Sequence, residues 1–129
     1  MRRRAEGDSG FVLLTPMEAP SAVGALSALA HPGRLEVFRL LVRAGPEGLA
    51  AGDIARATRS LANTLSTNLN VLAGAGLVSS RREGRSIIYA AGYDRMRDLL
   101  AFLMEDCCGG NAEICAPLAV IAERAACCA

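Results

Sequence analysis

Residues 61–90 read "LANTLSTNLNVLAGAGLVSSRREGRSIIYA", and the spacing of their apolar residues changes partway along. Leu61, Leu65, Leu69 and Leu72 recur at helical intervals, which predicts a helix from about Leu61 to Ala73 that buries these leucines. Gly74 and Gly76 stop it. From Leu77 the period falls to two, and "LVSSRREGRSIIYA" predicts a strand, a tight turn at Glu83-Gly84 and a second strand. A helix running straight into a basic hairpin is the pair of elements on which the fold turns.

Working outward, three more helices precede that pair. Ala22, Val23, Leu26 and Leu29 recur at helical spacing between Ala19 and Ala30. Pro32 suits the first turn of a second helix, "GRLEVFRLLVRAG", with the stripe Leu35, Phe38, Leu41 and Val42 and an end marked by Gly45 and Pro46. The single histidine, His31, is read as a helix-start residue. A short third helix is predicted over Gly52 to Thr58, anchored by Leu49 and Ile54, and a last one from about Tyr93 to Glu105 carries Met96, Leu99, Leu100 and Leu103 on one face. This order is that of a winged helix-turn-helix: mainly α with a small β-hairpin.

Composition agrees. The chain is 52% hydrophobic but only 4% aromatic, which favours helices over a β-sandwich. Its 129 residues suit one domain. The expected organisation is a flexible tail over 1–18, a DNA-binding and dimerisation domain over 19–106, and a cysteine-containing segment over 107–129. In the tail, Glu6 and Asp8 break up the basic run and "FVLL" is too short for a signal sequence. No stretch is long enough to span a membrane. A cytoplasmic protein is expected, in which five cysteines serve as reduced ligands or sensors rather than as a disulfide framework.

A net charge of +1 names no partner, but its distribution is uneven. Residues 52–90 hold five Arg against two acids, and residues 91–129 hold three Arg against six acids. A recognition helix in the major groove needs short polar side chains over an apolar back. Ala62, Asn63, Thr64, Ser66, Thr67 and Asn68 fit, with Asn suited to adenine and Thr to a thymine methyl. Arg56 and Arg59 before the helix, and Arg81, Arg82 and Arg85 in the hairpin, are placed to neutralise phosphates.

The residues "ALAHPGRLEVFRLL", "GDIA" and "NTLSTNLNVLAGAGLVSSRREGR" together resemble the ArsR/SmtB family of metal-responsive repressors, over roughly residues 22–105. The resemblance implies a homodimer that occupies double-stranded operator DNA and leaves when its inducer binds. It also implies a dimer interface made by the first and last helices, so that Met96, Leu99, Leu100 and Leu103 would pack against a partner.

The cysteines select the inducer. Adjacent Cα atoms lie about 3.8 Å apart, too close for an unstrained disulfide between Cys107 and Cys108. Were the last helix to continue, Cys115 would stand about 12 Å along the axis from Cys107. Gly109 and Gly110 let the chain turn back and bring the three thiols together. Three sulfurs without nitrogen or carboxylate suit a soft centre, and trivalent arsenic or antimony takes three thiolates in a pyramid. Structural zinc would want a fourth ligand, and His31 is remote. The family's arsenic site in the third helix is missing, since Ala50 and Gly52 stand where its cysteines would be. The chain instead resembles members with a vicinal pair and a downstream cysteine just after the last helix, which implies Cys107, Cys108 and Cys115 as ligands. Cys127 and Cys128 are left outside this set.

The expected function is therefore an operator-binding repressor released by As(III) or Sb(III), with no organic cofactor. The alternative is a redox or cadmium and lead sensor of the same fold. A thiol enzyme is disfavoured, because no C-x-x-C occurs and no histidine lies near the cysteines in sequence.

Overall fold

The computed structural model describes residues 17–104. Five helices and three strands follow in the order α1 (Ala19–Leu29), α2 (Pro32–Ala44), β1 (Leu49–Ala50), α3 (Ala51–Thr58), α4 (Ala62–Gly74), β2 (Val78–Glu83), β3 (Ser86–Ala91) and α5 (Tyr93–Met104). The expected class holds, with one addition: the hairpin is part of a three-stranded antiparallel sheet in the order β1-β3-β2.

Local chemistry sets the helix ends. His31 is extended, and its Nδ1 accepts from the backbone N–H of Gly33 at 3.0 Å and of Arg34 at 3.3 Å, while Pro32 opens the helix with no N–H to satisfy. Arg34 reaches back and donates from Nε to the Ala28 carbonyl at 2.5 Å, closing the end of α1. At the far end of α2, Gly45 has φ 87° and its N–H returns to the Leu41 carbonyl. Gly48 explains the strand that periodicity missed. It sits at φ 74°, and a Cβ there would collide with the Tyr89 carbonyl oxygen, so only glycine lets this loop run close enough for Leu49 and Ala50 to pair with β3.

The core is centred on Val37, Leu41, Ile54, Leu72 and Leu77, each fully buried. It recruits α1 through Ala22, Ala25 and Ala28 and α5 through Leu99. Tyr93 ties α5 to α2 by donating its hydroxyl to the Val42 carbonyl at 3.1 Å. On α1 the face turned inward is made of small residues, whereas Val23 and Leu26, part of the helical spacing that predicts it, are exposed. Leu35 of α2 is exposed as well, and Val37 takes the inward place. On α5, Leu100 and Leu103 point away from the core. The physical reason on α1 is spacing: alanines at i, i+3 and i+6 share one face and let helices approach closely, leaving larger side chains outside. Among the described residues no helix is long and apolar enough to cross a membrane.

Candidate nucleic-acid interface

Helix α4 presents Ala62, Asn63, Thr64, Ser66 and Thr67 to solvent, over a back made by Leu65, Asn68, Leu69 and Leu72. Five of the six expected base-reading residues are therefore accessible. Thr67 donates its hydroxyl to the Asn63 carbonyl at 3.1 Å, which fixes its rotamer.

Asn68 does not belong to the exposed set. It is 4% exposed, the one buried polar residue of the described core. The cause is its position, three residues after Leu65 and four before Leu72, which places it in the buried seam whatever its polarity. Leu61 errs in the other direction. Counted with Leu65 as buried, it is 77% exposed, because it is the N-cap, with extended backbone at φ −71° and ψ 151°, and does not share the helical phase that begins at Ala62. An apolar residue in a position where capping chemistry normally stands was the available signal.

Arg59 links α3 to α4 in the left-handed conformation, φ 56° and ψ 41°, and is the one non-glycine residue with positive φ in the described chain. Its side chain stays exposed. Arg56 is held by an ion pair with Asp53 one helical turn away.

The hairpin register separates its arginines. Val78 pairs with Ala91, both buried; two residues on, Ser80 pairs with Tyr89 and Arg82 with Ile87. These pairs share the face that packs on α3 and α4. A cleft of about 200 Å³ lies on that side, lined by Ala51, Gly52 and Ala55 of α3, Ala62 and Ser66 of α4, and Tyr89 of β3. Arg81 falls on the opposite face. Its Nε donates to Glu83 Oε2 at 2.7 Å and its terminal nitrogen to the Glu47 carbonyl at 2.8 Å, which fastens the wing to the loop before β1. Arg82 and Arg85 enter no ion pair among the described residues.

Arginines and short polar groups thus line an exposed surface from the α3–α4 turn, along the start of α4, to the wing. Such a surface can dock on a phosphate backbone and read base edges. Among the described residues no three His, Cys, Asp or Glu side chains cluster as a metal site. Cys107, Cys108 and Cys115, the expected ligands, lie outside the described residues, as do Cys127 and Cys128.

A helix-turn-helix domain model matches residues 29–81. The nodulation protein NolR of Rhizobium meliloti is 34% identical over 88 residues, which cover 68% of this chain and 70% of that protein. The solution structure of a homodimeric winged helix-turn-helix DNA-binding domain from Mycobacterium bovis, a possible ArsR-family transcriptional regulator, is 30% identical with a TM-score of 0.54, covering 67% of this chain and 81% of that one. An ArsR-like transcriptional regulator from Rhodococcus sp. RHA1 is 25% identical with a TM-score of 0.61, covering 81% of this chain and 92% of that one. The two solved relatives are described as a possible ArsR-family and an ArsR-like transcriptional regulator. Fold, basic surface and relatives agree, and the chain belongs to the ArsR/SmtB-like family of DNA-binding winged helix-turn-helix transcriptional regulators.

Proposed function

We propose that the protein is a homodimeric repressor that holds operator DNA and releases it when trivalent arsenic or antimony binds Cys107, Cys108 and Cys115. The DNA half of this reading is carried by the exposure of Asn63, Ser66 and Thr67 on α4, and of Arg82 on the face of the sheet that packs on the helices. Dimerisation is supported by the apolar side chains that the monomer leaves outside, Val23 and Leu26 on α1 and Leu100 and Leu103 on α5. These two helices pack on each other, so a partner would cover both. The homodimeric Mycobacterium bovis domain supports a dimer.

The inducer reading rests on the donor set. Cys107 follows the last described residue of α5, Met104, by three positions in the sequence, close to the helix that would form the dimer. A nitrogen ligand is disfavoured, since the only histidine already commits its Nδ1 to the start of α2. Three soft thiolates favour a thiophilic ion. Each thiol must lose its proton to bind, so capture weakens as pH falls. Two recognition helices must stand about 34 Å apart to read both half-sites, and drawing Cys115 onto the pair would change the angle between subunits. A coupling of a few kcal/mol lowers DNA affinity about a hundredfold.

The test is fluorescence anisotropy with a duplex selected by the full chain from a random-sequence pool. Arsenite and antimonite should release the parent, and the Cys115→Ser variant should stay bound. Release by cadmium alone or by peroxide alone would replace the metalloid with the corresponding alternative stimulus.

A further inference from the structure

We infer that Leu61 is a specificity residue of the DNA interface, placed to meet the C5 methyl of a thymine in the major groove. The inference rests on the reading that α4 enters the groove, and adds a residue and a base to it.

Two local preferences are broken at this one position. Leu61 is the N-cap of α4, where Ser, Thr, Asp or Asn would accept a hydrogen bond from the first turn, and no side-chain cap is present. It is also more exposed than any other large apolar residue described, at 77% against 64% for Val23, so burial does not account for it. Val23, Leu26, Leu100 and Leu103 lie on α1 and α5, the helices assigned to the dimer, but Leu61 is the N-cap of α4, the helix assigned to DNA. Neither helix capping nor core packing accounts for a leucine at this position.

The surroundings say what. The N-terminal residues of a recognition helix are those that reach base edges. Leu61 is followed by the exposed Ala62 and Asn63 and preceded, two residues back, by the exposed Arg59. Its surface is therefore continuous with the one assigned to DNA. In the major groove the single apolar group on any base-pair edge is the thymine methyl. An isobutyl side chain entering that groove strips water from polar base edges that it cannot hydrogen-bond, except where it meets that methyl.

The experiment uses the full chain and the selected duplex, with each thymine of a half-site replaced in turn by uracil, which lacks only the methyl. Parent, Leu61→Ser and Leu61→Met are compared by anisotropy, and thermal melts are recorded for each. One uracil position should weaken the parent about three- to fivefold, the effect expected of one buried methyl. Leu61→Met should keep that sensitivity, and Leu61→Ser should lose it while matching or exceeding the parent's melting temperature, since serine restores a cap. The inference is overturned if no uracil position depends on residue 61, or if Leu61→Ser weakens selected and unrelated duplexes equally. Failure to select any duplex would overturn the DNA reading of α4, and with it this inference; binding without a residue-61 dependence would overturn the inference alone.

Discussion

The amide of Asn68 in α4 packs on Gly33 in the first turn of α2, so closely that a Cβ on Gly33 would stand 3.0 Å from Asn68 Nδ2 and 3.2 Å from His31 Cε1. Helix α2 carries Val37, Phe38 and Leu41 into the core, so its start is a fixed reference against which the recognition helix is set. By helix propensity alone, Gly33→Ala would stabilise by roughly 0.5–1 kcal/mol. The contact predicts otherwise. The melting temperature should not rise, and DNA affinity should fall several-fold as α4 is pushed aside. Adding Asn68→Ala to Gly33→Ala should recover part of the binding, because the two sites are coupled. A more stable Gly33→Ala protein with parental DNA affinity would refute this account.

Arg81 and Arg82 are neighbours in sequence with different duties. Arg82→Ala should weaken binding to all duplexes alike and lower the slope of log affinity against log salt by about one, the signature of one lost phosphate contact. Arg81→Ala should leave that slope nearly unchanged. Its exposed ion pair with Glu83 is worth less than about 1 kcal/mol, so only a small drop in melting temperature is expected. Salt titrations that exchanged the two results would put Arg81 on the DNA.

Arg59 stands where the backbone prefers glycine. Arg59→Gly relieves a left-handed conformation costing about 1–2 kcal/mol, partly offset by the added freedom of glycine in the unfolded chain. Thermal stability should therefore hold or rise while DNA affinity drops with a shallower salt dependence. A variant that lost stability and kept its affinity would mean that the arginine serves the fold instead.

Leu103 is 49% exposed on α5, whereas Leu99 on the same helix is 4% exposed. Leu103→Arg should leave the circular dichroism spectrum and the monomer fold intact, yet convert the protein to a monomer by light scattering and abolish tight operator binding. Persistence of the dimer would remove this face of α5 from the interface.

Most of the element pattern was legible because it depends on near neighbours. Helical spacing in α4, the period-two hairpin and His31-Pro32 at the start of α2 are local signals, and each stands within a residue or so of its expected place. The misreadings share one cause. Leu61 and Asn68 were assigned by side-chain type, and their exposure is set by helical phase. An exposed leucine, a buried asparagine and an alanine-lined helix face become intelligible only once α1, α2 and α4 are packed together.

Sequence by itself determined the helices, the hairpin and the family, because backbone hydrogen bonding and side-chain periodicity are properties of residues and short spans. Tertiary structure alone decided that Gly48 admits a third strand, that Asn68 abuts Gly33, that Arg82 and not Arg81 lies on the sheet face that packs on the helices, and that Leu61 is left uncovered. Those outcomes depend on distances between segments far apart in the chain, which close packing sets and no local window contains.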